Sequence, residues 1–273
     1  MTATLDIQNV APHRPSEVEH RYGPNVHILC DPVARTHLAS LCSRQTVQPR
    51  INDLVRILYR HMLHVVAASE LPGEETRVET RMFEATERGV WQGRVVDSRT
   101  RVVVASMARA GILPGQVCFD ALTTLLGPVA VRHDYFGVGR VTDNDQKVTG
   151  AAVTYSKVGG PFEDAFLLIP DPMGATGGSV VETVRTYERE VPDRPAKTIA
   201  IHLIITPEYV RRVTRELPDL VIWTARLDRG MSDPDVLATV PGTHPDREFG
   251  LDEMDYIVPG AGGVGEIMTN AFV

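Results

Sequence analysis

The chain has 273 residues, 43% of them hydrophobic, and 28 Lys and Arg against 35 Asp and Glu give a formal charge of −7. That length suits one large core with an appendage, and the acidic balance argues against nucleic acid or an acidic membrane surface as partner. No run of about 18 apolar residues occurs, so no membrane-spanning helix is expected. The start, MTATLDIQNVAPHRP, lacks the basic and apolar regions of a secretory signal. Cys30, Cys42 and Cys118 lie outside any C-x-x-C pattern, which fits free thiols and a cytoplasmic protein.

Residues 1–24 are rich in Pro, His and polar groups and read as a flexible tail. The spacing of His13, His20 and His27 matches no metal motif. A short strand is expected at 26–29. Asp31 is placed to cap a helix over 32–43, and Asn52 to cap a second. In the second, Leu54, Ile57, Leu58, Met62, Val65 and Val66 keep helical spacing up to Pro72-Gly73. His61 and His64 on that helix have no evident carboxylate partner. Alternating runs at 78–83 and 89–96 suggest a hairpin. VVVASMARAG, 102–111, has the pattern of a buried parallel strand ending in a tight turn. It puts Arg109 at the C-terminal edge, where open α/β sheets hold ligands. A helix over 113–126 follows, with Pro114 in its first turn. A strand opens at 129–131. The polar stretch 133–158 then exceeds an ordinary loop, and such stretches are usually functional or disordered.

The chain is organised around LLIPDPMGATGGSVVETV, 167–184. An apolar strand ends at Asp171. The small turn Gly174-Ala175-Thr176-Gly177-Gly178-Ser179 leads into a helix from Val180. Unpaired N–H groups and the helix dipole make such a junction a ready anion site. Small side chains let the backbone approach a phosphate, and Thr176 and Ser179 add hydroxyls. The lysine of a Walker A loop is missing. Further on, a strand is expected at 199–205, a helix at 207–217 and a strand at 221–225 with Trp223 in the core. Asp228 either touches a substrate or caps its turn. Residues 234–253 read as loop, and a glycine-rich stretch, YIVPGAGGVGEIM, spans 256–268.

The string D-P-M-x-A-T-G-G-S at 171–179 resembles the phosphoribosyl-pyrophosphate (PRPP) loop of type I phosphoribosyltransferases, in the wording of the uracil branch. Arg109-Ala110-Gly111 resembles the end of that family's V-P-I-L-R-A-G and precedes the loop in the same order. Tyr155-Ser156-Lys157, Thr206-Pro207-Glu208 (with Tyr209 where the family has glycine), Pro218-Asp219-Leu220 and Tyr256 to Met268 extend the resemblance. It covers 102–268 by motif and the front part in layout only. It implies an α/β fold, a parallel sheet flanked by helices, with an N-terminal helical segment, a β-arm and a hood. Residues 25–98 would form the helical and arm part and 99–273 the PRPP-binding core.

The resemblance also implies site roles. Ala175, Thr176, Gly177, Gly178 and Ser179 would hold the 5′-phosphate, with Met173 and Gly174 leading into the turn. Asp171 would meet the ribose hydroxyls. Arg109, Ala110 and Gly111 would bind pyrophosphate, and Tyr256, Ile257, Gly262 and Gly263 the base, with Asp171 and Arg109 as the catalytic groups. Mg²⁺ would arrive with PRPP, and no dedicated metal site is expected because Pro172 takes the place of a second acid. The implied reaction is uracil to UMP with pyrophosphate release, in a homodimer or higher oligomer. Three departures stand out. The hood arginine is absent at Asp134-Tyr135-Phe136, with Arg132 or Arg140 as substitutes. The first aspartate of G-D-A-G-D is Gly263 and the second is Glu266. Residues 234–253 are partly inserted. Losing a charge-assisted hydrogen bond of roughly 1.5–3 kcal/mol would slow the reaction by roughly one to two powers of ten. A different acceptor, or a non-catalytic nucleotide-binding role, therefore stays open.

Overall fold

A computed structural model describes residues 6–142 and 148–271. A 3₁₀ turn at Ile7–Val10 precedes β1 (Val26–Ile28), α1 (Pro32–Leu41) and α2 (Arg50–Glu70). The hairpin β2 (Gly73–Glu79) and β3 (Val90–Val96) stands apart as a two-stranded sheet. The core then runs β4 (Val102–Ala108), α3 (Ile112–Leu126), β5 (Val131–Thr142), β6 (Val148–Lys157), β7 (Phe166–Pro170) and the two-residue β8 (Met173–Gly174). It continues with α4 (Gly178–Glu190), β9 (Lys197–Ile205), α5 (Pro207–Glu216) and β10 (Val221–Leu227), and the short α6 (Pro234–Leu237) and α7 (Val264–Thr269) close it.

The main sheet has the order β1-β10-β9-β7-β4-β5-β6, with β8 beside β9. Its pairs are parallel except β5 with β6. The uninterrupted apolar strands follow from burial on both faces. On one face Val104, Leu168, Ile201 and Trp223 pack with Leu54, Leu58 and Met62 of α2. On the other, Val103, Leu167, Ala200 and Ile222 pack with Val180, Tyr187, Val210 and Val213 of α4 and α5. The two-residue side-chain period of a strand sends alternate residues of β4 into different cores. The expected parallel sheet flanked by helices is the observed one.

Several local expectations change. Asp31 caps α1 through Val33 N and Ala34 N, but it also meets His61 Nε2 at 2.5 Å, so His61 has a carboxylate partner. Asn52 does not cap α2, which starts at Arg50 behind Pro49. Its amide instead donates to Met268 O at 3.3 Å and ties α2 to the chain's last helix. Residues 16–22, expected as tail, lie on the body. Val18 N donates to Ile28 O at 2.8 Å, Arg21 N to Pro241 O at 2.8 Å, and the Tyr22 hydroxyl to Glu248. His27 stacks on Trp223 with ring centroids 4.2 Å apart. The stretch 133–158 is mainly the antiparallel ribbon β5–β6 at the sheet edge, while residues 143–147 of the expected hood lie outside the described residues.

Candidate functional site

The C-terminal ends of the central strands meet a cleft of about 590 Å³. A larger one, about 820 Å³, opens at the opposite end of β7 and β9, among the C-terminal turns of α4 and α5. Helix C-termini repel anions, and the larger cleft holds none of the glycine-rich segments.

The loop after β7 owes its shape to what stands behind it. The carbonyls of Asp171, Pro172, Gly174 and Ala175 all bond backwards. Asp171 O meets His202 Nδ1 at 2.6 Å, Pro172 O accepts from Leu203 N at 3.0 Å, Gly174 O from Thr206 N at 3.1 Å, and Ala175 O from Thr206 Oγ1 at 2.6 Å. The N–H groups of Thr176, Gly177, Gly178 and Ser179 take no acceptor among the described residues. They are the orphan donors of the α4 N-terminus, and with the helix dipole they form an anion cradle. Gly177 holds φ = 77°, and a Cβ there would lie 2.8 Å from Val213 Cγ2. Glycine is required twice over at that point. The helix begins at Gly178, two residues before the expected Val180.

Asp171 opens onto the cleft at the end of β7, yet it is packed deeply. Loss of water around its carboxyl pushes the pKa up to about 7, and an N–H bond from Met173 opposes this. Arg109 follows β4 and also lines the cleft. Its guanidinium donates to Ala271 O at 2.7 Å. Gly111 caps α3 tightly, since a Cβ there would be 2.7 Å from Met107 O.

The third wall comes from the C-terminal stretch. Asp228, 2% exposed, accepts from Arg226 Nε at 2.5 Å, from the second Arg226 nitrogen at 2.8 Å, and from Gly260 N at 2.8 Å. Of the two expected roles for Asp228, the structure shows the turn anchor. Gly260 and Gly262 take φ of 56° and 68°. A Cβ on Gly265 would sit 3.3 Å from that of Ala110, so this wall leans on the Arg109 turn. Gly263 is an N-cap, and the nearest atoms to its missing side chain are those of the Glu266 carboxylate. Glu266 itself lines the cleft, and while its main-chain carbonyl accepts from Ala271 N at 3.2 Å, its carboxylate accepts no hydrogen bond from a described residue.

Of the expected site residues, Arg109, Ala110, Asp171, Met173, Ala175, Ser179, Tyr256, Ile257, Gly262 and Gly263 line this one cleft. Gly174, Gly177 and Gly178 lie behind it as buried backbone, and Thr176 is half-buried in the cradle. Sequence reasoning did not place Val138, Gly139, Asp255 and Glu266 in the wall. Val138 and Gly139 belong to the β5–β6 ribbon, whose pairing is non-local. Arg132 is not free to serve the cleft: it forks onto Asp134 at 3.1 and 3.2 Å and donates to Pro161 O at 2.7 Å. The side chain of the alternative, Arg140, lies outside the described residues. Among the described residues no group of three or more His, Cys, Asp or Glu is placed to hold a metal. Burial pushes the Cys42 thiol up, which disfavours a nucleophilic thiolate.

A sequence model of the uracil phosphoribosyltransferases matches residues 28–251. The chain belongs to the uracil phosphoribosyltransferase family. As a member of that family it is a phosphoribosyltransferase, and two uracil phosphoribosyltransferases illustrate its distance from relatives. The one from Rhodococcus jostii is 27% identical over 241 residues, 88% of this chain and 96% of that protein. The one from a Geobacillus species is 28% identical over 226 residues, 82% and 98% of the two chains. Among solved structures, the AQ2163 protein from Aquifex aeolicus superposes with a TM-score of 0.65 at 19% identity, covering 91% of this phosphoribosyltransferase and 99% of that chain, which speaks for the fold.

Proposed function

We propose that the protein transfers the 5-phosphoribosyl group of PRPP to a pyrimidine-like base, most simply uracil, giving UMP and pyrophosphate. The observation that carries this reading is the anion cradle at Thr176 to Ser179, facing the same cleft as Arg109, Asp171 and the Tyr256–Gly263 wall. The cradle suits a 5′-phosphate. Arg109 suits a diphosphate through paired hydrogen bonds once it leaves Ala271. Asp171 stands at the mouth of β7 for the ribose hydroxyls. The bond from C1′ to the pyrophosphate oxygen breaks as a ring nitrogen of the base bonds to C1′, and that nitrogen's proton leaves. Positioning and charge stabilisation supply the catalysis. Mg²⁺ is part of the substrate here, held by the diphosphate and water.

A second reading keeps the donor and changes the acceptor. It is favoured by Glu266, whose unpartnered carboxylate covers Gly263 and presents acceptors to the base side of the cleft. The exposed apolar residues of the β2–β3 arm and the turn joining its strands, Val78, Met82 and Val95, support assembly as a homodimer or larger oligomer. Among the described residues no helix is long and apolar enough to cross a membrane. A cytoplasmic location fits this reading.

The test is a mass-spectrometric assay with PRPP, Mg²⁺ and uracil, following UMP formation and PRPP loss. UMP formed far faster than by an Arg109→Ala, Thr176→Ala double variant supports uracil transfer. Intact PRPP and no UMP with folded protein overturns it. PRPP consumed only with another base moves the assignment to the second reading. UMP binding without PRPP binding moves it to a non-catalytic nucleotide-binding role.

A further inference from the structure

Behind the anion cradle lies a short chain of polar groups closed to solvent. His202 on β9 and Tyr209 on α5 are both 0% exposed. His202 Nδ1 lies 2.6 Å from the Asp171 carbonyl oxygen, and Nε2 lies 2.6 Å from the Tyr209 hydroxyl. Chemistry fixes the direction of both bonds. A carbonyl only accepts, so Nδ1 carries the hydrogen. Nε2 of the neutral ring is then an acceptor, so the hydroxyl donates. Burial pushes the ring's pKa down to about 4, so the neutral form is the one present near pH 7. The chain runs from Tyr209 through His202 to the main chain of Asp171.

Tyr209 also meets the loop directly. A Cβ on Gly174 would lie 2.9 Å from its Cδ2, and one on Gly177 would lie 3.5 Å from the same atom. The ring is thus the floor under Gly174 and Gly177, two of the turn's three glycines. The amide of Tyr209 is in turn held by Thr206 Oγ1 at 3.0 Å, the hydroxyl that donates to Ala175 O. One tyrosine therefore touches the start of the loop through a histidine, and its middle through a ring face against Gly174 and Gly177 and through a threonine that holds Ala175 between them.

We propose that Tyr209 and His202 are positioning residues for the phosphoribosyl donor. They hold the Asp171 carbonyl away from the cleft and set the depth of the glycine turn, so the loop's N–H groups face the donor before it arrives. Preset donors cost no reorganisation on binding. This rests on the donor-site reading above and goes beyond it, since neither residue lines the cleft.

The test uses the full-length protein and Tyr209→Phe, which keeps the ring floor and removes only the hydroxyl. Losing one buried neutral hydrogen bond should weaken PRPP binding roughly threefold to tenfold by calorimetry. The KM for the acceptor should stay within about twofold on the same scale. His202→Asn, whose amide can still donate to Asp171 O, should retain more PRPP affinity than His202→Leu. If Tyr209→Phe does not fold, the ¹⁵N shifts of the wild-type His202 ring decide: a neutral ring with hydrogen on Nδ1 is expected. Hydrogen on Nε2 overturns the proposal, as does unchanged PRPP affinity in folded Tyr209→Phe, or an equal rise in both substrates' constants. Wild-type protein that binds no PRPP overturns the donor-site reading instead.

Discussion

Replacing Asp228 with alanine tests whether that carboxylate builds the site or serves the substrate. The change strips Arg226 of two bonds, at 2.5 and 2.8 Å, and removes the acceptor of Gly260 N–H. Truncating one partner of a buried ion pair costs about 3–5 kcal/mol, because the other charge stays buried. The Arg226 side chain is 28% exposed, so water recovers part of that. The lower end, about 3 kcal/mol, is the expected loss, and for a chain of this size it lowers the melting temperature by about 6–12 °C. Gly260 would lose its anchor, so the acceptor KM should rise. Asp228→Asn, which keeps an oxygen for Gly260, should restore part of that KM. Thermal unfolding and acceptor titrations on the three proteins measure both effects. An unchanged melting temperature with a large fall in kcat would refute the argument and place Asp228 on the substrate.

Asp171 gives a pH signature. Its folded pKa of about 7 lies above the unfolded value near ~3.9. Between the two the folded protein holds a proton that the unfolded chain has released, so stability falls as pH rises through that window. Asp171→Asn should therefore match wild type in urea at pH 4 and exceed it at pH 8 by about 2–4 kcal/mol, while losing transferase activity; an equal gap at both pH values sinks the assignment. Gly177→Ala forces a side chain into φ = 77° against Val213. It should cost at least ~1–2 kcal/mol and weaken PRPP binding, and native-like stability in denaturant would contradict the strain argument. Gly263→Ala meets first the far end of the Glu266 side chain, at an ordinary φ of −75°. It should leave stability within ~0.5 kcal/mol but change the acceptor KM, and unaltered kinetics would remove Glu266 from the base side of the cleft.

Local and periodic signals were readable in the chain. The apolar strands, the helix at Arg50–Glu70 and the turn after Asp171 each depend on neighbours within a few residues, and each formed close to where expected. What failed was partner choice across long separations. Asn52 looks like a cap because Asn is short and polar, yet it answers Met268, 216 positions away. Arg132 reads as a spare cation, but the fold brings Gly159 N and the Tyr187 hydroxyl onto its partner Asp134 and fixes the group. Tyr209 replaces a small residue of the family pattern. Nothing local announces that its hydroxyl meets a histidine on the neighbouring strand. Of the candidate site, the glycine turns were legible because backbone geometry demands them, whereas Glu266 entered by a side chain folding back over an earlier residue.

The bond between the Tyr22 hydroxyl and Glu248 couples the two ends of the chain's outer layer. Glu248 is 0% exposed and also accepts from Arg229 at 3.1 Å and from Gly242 N at 2.8 Å. Without the segment that carries Arg21 and Tyr22 it keeps those partners, but the neighbouring turn at Gly242 loses the Arg21 backbone packed on it. The segment before β1 and the stretch after β10 are thus two halves of one joint. Trimming the first two dozen residues to make a tidier protein would loosen a region more than two hundred positions downstream, next to the strand that anchors Gly260.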